Sequence, residues 1–186
     1  MSFLDDIPPL RKQRKVKAKQ VAIVYRYDIK YLYQQAHEHN FKERTPLAYE
    51  SGHYFKPTMP DIKTTNGHKL YMKNVLNWLG HNADNRDTMG VPMLGPGGKP
   101  LLDKYGKIRY RKSGSTTGGT DMVNDIFVPG YPAAFSWKIE VKNLDTMGKA
   151  QLRYQEKMQR VGVLHSVIRV GELDLFWDEY FRILNL

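Results

Sequence analysis

The most regular alternation in the chain is "FSWKIEVK", residues 135–142, where Phe135, Trp137, Ile139 and Val141 are apolar and Ser136, Lys138, Glu140 and Lys142 are polar. A period of two predicts a strand with one face in a core. Further strands are predicted at "NADNRDTMG" (82–90), at "GKIRYRKSG" (106–114), at "DMVNDIFVPG", closed by Pro129 and Gly130, and at "VLHSVIRV" (163–170). The Gly- and Pro-rich excursion "VPMLGPGGKPLLDKY" separates the first two, which are expected to pair as a long-looped hairpin.

Helical spacing appears elsewhere. "HKLYMKNVLNWLG" carries Leu70, Val75, Leu76, Trp78 and Leu79 and stops at Gly80, a C-cap residue. "MGKAQLRYQEKMQRVG" has a stripe through Met147, Tyr154, Met158 and Val161 and stops at Gly162, and "ELDLFWDEYFRIL" is a closing helix that packs Leu175, Phe176, Tyr180 and Phe181. Residues 20–40 read as a strand or helix start passing into helix, and the Pro- and Gly-broken stretch after them reads as loop, with a boundary near residue 65. The order gives a mixed α/β domain, one mixed central sheet flanked by helices, over residues 66–186. Residues 1–20 form a basic arm, and residues 21–65 an N-terminal extension to which the pattern assigns no role.

Charge narrows the partners. The 186 residues hold 29 Lys plus Arg against 19 Asp plus Glu, a net charge of +10, which attracts polyanions and favours nucleic acid. Two basic clusters stand out. Arg11, Lys12, Arg14 and Lys15 follow a Pro-Pro pair in the arm. Lys107, Arg109 and Arg111 share one face of the strand at 106–114, with Lys112 at its end. No cysteine is present, which removes disulfides, thiolate nucleophiles and Cys-based zinc sites. No run of about 18 apolar residues, the length a membrane span needs, is present, and the N-terminus lacks a secretory signal, so no membrane partner and a cytoplasmic location are expected. "HEH" at 37–39 puts two histidines on different sides of a helix, and "GSTTGG" lacks the lysine of a phosphate-binding loop.

Glu140 and Lys142 project from one strand face about 7 Å apart. A hairpin brings Asp121, at the head of the preceding strand, beside them. Two carboxylates converging at adjacent strand ends form a hard oxygen site for Mg²⁺, with a lysine beside it to orient or deprotonate the attacking water. This is chemistry suited to phosphodiester hydrolysis, with the basic strand delivering the substrate.

"GGTD" at 118–121 followed by "IEVK" at 139–142 resembles the signature of the PD-(D/E)XK nucleases, and the variant is similar to their VRR-NUC branch, which includes small phage nucleases and the catalytic domain of the Fanconi-associated nuclease. The similarity runs over about residues 67–170. It implies a restriction-endonuclease-like core, with Asp121 and Glu140 as ligands of Mg²⁺ or Mn²⁺, the carbonyl of Val141 as a third oxygen and Lys142 as the catalytic lysine. The branch also has a glutamine on the following helix. Gln151 and Gln155 are both candidates, and the stripe favours Gln151, which lies between Met147, Tyr154 and Met158. The implied activity is a DNA endonuclease acting on branched DNA, such as a Holliday junction, as a homodimer in a bacterial or phage-infected cell. General nuclease action on duplex or single-stranded DNA, or non-catalytic nucleic-acid binding, are the alternatives. One feature departs from the branch: "HKLYMKNVLNWLG" lacks the glutamate expected on the first core helix, leaving Glu43, Glu50 and Asp61 as candidate substitutes.

Overall fold

The computed structural model describes residues 25–86, 91–111, 120–143 and 145–185. Helix α1 spans Ile29–Arg44, α2 spans Pro46–Glu50 and α3 spans Thr65–Trp78. Strand β1 covers Asn82–Asn85, β2 Val91–Pro92, β3 Tyr110–Arg111, β4 Met122–Ile126 and β5 Phe135–Lys142. Helix α4 (Lys149–Arg160), strand β6 (Leu164–Arg169) and helix α5 (Leu173–Leu184) complete the chain.

The main sheet has four strands in the order β1-β4-β5-β6. β1 and β4 are antiparallel, β4 and β5 are antiparallel, and β6 runs parallel to β5 after the α4 crossover. Alternation along β5 divides the two faces. Trp137, Ile139 and Val141 enter the core, where the Trp137 ring stacks on Phe176 of α5 with centroids 5.5 Å apart. Lys138 and Glu140 take the other face and meet Tyr154 and Gln151 of α4. A mixed sheet thus lies between helices.

α1 shares this core. Ile29, Leu32, Tyr33 and Ala36 are buried against α3, and the Tyr33 and Tyr71 rings stack at 5.1 Å. The Tyr71 hydroxyl donates to the carbonyl of Ile29 at 3.1 Å and accepts from the Trp177 indole at 3.1 Å. One buried phenol therefore ties α1, α3 and α5 together without an unsatisfied group of its own.

α3 begins at Thr64, whose hydroxyl accepts from the N–H of Gly67 at 3.0 Å. Gly67 is required there by close approach, because a β-carbon would lie 1.8 Å from the carbonyl oxygen of Asp61. The helix runs to Gly80, whose φ of +83° ends it as its sequence position predicts.

Several expectations need correction. The strand at 82–90 is described only to Asn85 and pairs with β4, not with the basic strand. That basic strand contributes Tyr110–Arg111 alone, paired with Val91–Pro92 in a separate two-stranded sheet. Proline at 92, 96 and 100 removes ladder donors from the excursion, so a long regular hairpin does not form. On α3, Leu70 is exposed while Tyr71 and Met72 are buried, and on α5 Leu175 is exposed while Leu173, Trp177 and Ile183 join Phe176 and Tyr180 inside. Leu70 and Leu175 are the misplaced positions, while Val75, Leu76, Phe176 and Tyr180 are buried as expected. Val161, placed in the α4 stripe, is exposed. The stretch expected to be loop holds α2, entered through Pro46 at its first turn.

Trp137→Ala removes the largest side chain of the central strand from a site with no exposure, and we expect it to cost about 3–5 kcal/mol of stability. Denaturant unfolding monitored by circular dichroism checks this. A loss below about 1 kcal/mol contradicts the placement of Trp137 in the core.

Candidate active site

The antiparallel register Met122↔Ile139 brings the residue before β4 opposite Glu140. That residue is Asp121. Its side chain and that of Glu140 both lie almost wholly out of solvent, at 12% and 4% exposure. Two buried carboxylates on neighbouring strands repel one another unless cations and donors surround them.

Each carboxylate has its own set. Asp121 Oδ2 accepts from the backbone N–H of Val141 at 2.9 Å, and Asp121 Oδ1 lies 3.2 Å from the ammonium of Lys69 on α3. Glu140 Oε1 lies 3.1 Å from Lys142 Nζ and accepts from the side-chain amide of Gln151. Gln151 Oε1 accepts from the N–H of Gly148 at 3.0 Å, so its carbonyl end is taken and its NH₂ faces Glu140. The Lys142 ammonium also lies 3.1 Å from Asp145 Oδ2.

The backbone is arranged to match. The Lys142 carbonyl accepts from Val170 N beside β6 at 2.7 Å. Strand alternation therefore turns the N–H and C=O of Val141 towards the β4 side, where the N–H already holds Asp121. The Val141 carbonyl shares that edge with the carboxylate.

The electrostatics follow from burial. Desolvation pushes the Glu140 carboxyl above its ordinary range, the negative charge of Asp121 adds to this, and Lys142 only partly offsets it. Burial works to lower the Lys142 ammonium, but hydrogen bonds to Glu140 and Asp145 outweigh it and hold the group above the ordinary lysine value. The two acids thus favour the charged form of Lys142.

Of the residues singled out from sequence, Asp121, Glu140, Val141, Lys142 and Gln151 come together. Gln155, one turn beyond Gln151, is not the amide that reaches Glu140. Lys107 and Arg109 are exposed on the excursion, outside the main sheet. Arg11, Lys12, Arg14, Lys15 and Lys112 lie outside the described residues, as does the side chain of Arg111. None of the substitute acids joins the carboxylates: Glu43 pairs with His39 on α1, Glu50 ends α2 at the surface, and Asp61 accepts from the N–H of Lys63 in the turn before α3. Sequence reasoning missed Lys69, because the search along α3 was for an acid. It also missed Asp145, an exposed carboxylate three residues after Lys142.

Among the described residues no group of three or more His, Cys, Asp or Glu side chains is gathered to hold a metal ion. A pair of carboxylates beside the Val141 carbonyl nevertheless fits Mg²⁺ or Mn²⁺, which bind one or two protein carboxylates and complete their shell with water and phosphate. The upward pressure on Glu140 is the condition that a divalent cation relieves. The chain matches no family model, no curated protein and no solved structure.

A carboxyl raised on folding prefers its proton in the native state, so ionised Glu140 costs stability above its folded pKa and the cost disappears as pH falls through it. In metal-free buffer the stability of the wild type relative to Glu140→Gln is expected to rise as pH is lowered from 8 towards the ordinary glutamate value of 4.5. Paired denaturant titrations across that range provide the check. A difference that falls instead places Glu140 in a site that favours its charge.

Proposed function

We propose that the chain is a Mg²⁺- or Mn²⁺-dependent DNA endonuclease of the PD-(D/E)XK type, in the VRR-NUC branch, acting on branched DNA. The observation that carries this reading is the convergence of Asp121 and Glu140 across β4 and β5, with Lys142 and Gln151 both on Glu140. The mixed sheet with helices on both faces, and the order helix, strands, helix, strand from α3 to β6, support the same reading.

The contacts support the following roles. Asp121, Glu140 and the carbonyl of Val141 would hold the cation. A cation bound there supplies Lewis-acid stabilisation of charge at the phosphate and lowers the pKa of water. Gln151, oriented through Gly148, fixes the carboxylate of Glu140 from the α4 side. Lys142, paired with Glu140 and Asp145, would act by its charge and its N–H donors on the phosphate oxygens. The exposed Lys107 and Arg109, with the basic arm, supply sequence-independent contacts to the DNA backbone. Two copies of the chain would present two such sites to a two-fold junction.

One observation favours a second reading. α3 brings a lysine to Asp121 where the resemblance calls for an acid, as in a protein that binds DNA without cutting it. A labelled four-way junction and a matched linear duplex, each with Mg²⁺, Mn²⁺ or EDTA, separate the readings. Wild type is expected to make paired nicks near the branch point only with metal, and Lys142→Ala to lose about 10²-fold or more in cleavage rate while retaining DNA binding. Equal cutting of both substrates leaves a general nuclease. Binding without cutting under every condition contradicts the enzyme.

A further inference from the structure

The two buried carboxylates each meet a lysine, but unlike ones. Lys142 is held by two acids at once, Glu140 and Asp145, both at 3.1 Å from its ammonium. Lys69 has one partner among the described residues, Asp121 Oδ1 at 3.2 Å. Its side chain is largely hidden, at 18% exposure, and its remaining N–H donors have no acceptor there. The other oxygen of Asp121 is occupied by the N–H of Val141. Each oxygen of Asp121 therefore already has a donor before any ligand arrives.

A divalent cation seated on Asp121 would lie within a few ångströms of the Lys69 ammonium, and like charges at that range in a site shielded from water repel strongly. Either the lysine moves or the cation is kept out. Lysine is suited to moving, being a point charge on a flexible four-carbon stem with three donors. What would draw it from Asp121 is another anion of the same reach, and in a phosphodiester-cleaving site that anion is the substrate phosphate.

From this we infer that Lys69 is a built-in counter-cation that occupies Asp121 in the free protein and transfers to a phosphate of bound DNA, so that metal and DNA bind cooperatively. The inference rests on the metal-nuclease reading of the site. Linkage makes the effect reciprocal: if DNA tightens the metal, the metal tightens DNA by the same factor. The free protein would then hold little metal, and the site would be completed only on its substrate.

The test measures Mn²⁺ binding to the full chain by calorimetry, without DNA and with a phosphorothioate duplex oligonucleotide that resists cleavage. For wild type the duplex is expected to tighten Mn²⁺ about tenfold or more. Lys69→Met is expected to bind Mn²⁺ more tightly than wild type by a similar factor in the absence of DNA, and to gain little when DNA is added. Lys69→Arg, which keeps the charge, should resemble wild type. Lys73→Met, which removes the lysine paired with Asp84 at 2.9 Å on β1, should leave Mn²⁺ affinity unchanged. Equal Mn²⁺ affinity of wild type and Lys69→Met without DNA overturns the inference and leaves the nuclease reading standing, as does a wild-type affinity that DNA does not change. Absence of Mn²⁺ binding in every protein, with and without DNA, overturns both.

Discussion

The pairing of β4 with β5 in the register Met122↔Ile139 is the constraint on which the site depends. It sets Asp121 opposite Glu140 and, by the same alternation, sends Trp137, Ile139 and Val141 into the core on the other face. A slip of one residue would exchange the two faces of β5, burying Lys138 and Glu140 among the aromatic rings and exposing Trp137. The apolar face thus enforces the geometry of the polar one, and the packing of Trp137 on Phe176 is as much a part of the site as the carboxylates are.

Around that register the charges are distributed with little excess. Two buried carboxylates meet two lysines, one backbone N–H and one side-chain amide. The balance is not complete, since Glu140 still prefers its proton more than an ordinary glutamate does. The residual strain is electrostatic and local. In a solvated row of charges on a strand, exposure would remove it.

What was legible in the sequence was what local periodicity encodes. The period of two along 135–142 displays Glu140 and Lys142 on one face, and the apolar stripe of α4 selects Gln151 over Gln155. The mixed α/β class followed from the order of elements. Features that depend on non-local contact were not legible. The pairing of β1 with β4 spans the whole excursion, and the prolines at 92, 96 and 100 weaken a hairpin without showing which strand replaces it. Nothing in the spacing of α3 separates Lys69, which reaches Asp121, from Lys73, which reaches Asp84. The burial of α1 was equally hidden, because its apolar residues are few and part of its hold on the core runs through aromatic and hydroxyl contacts of Tyr33 and Tyr71.

The central claim is that the pair Asp121 and Glu140 is a divalent-cation site. Its most direct test is anomalous diffraction from crystals of the protein grown with Mn²⁺ and a cleavage-resistant duplex. The account predicts a strong peak within coordination distance, about 2.2 Å, of oxygens from both carboxylates, with the Val141 carbonyl beside it. DNA bound in the crystal with no Mn²⁺ peak between Asp121 and Glu140 would contradict it.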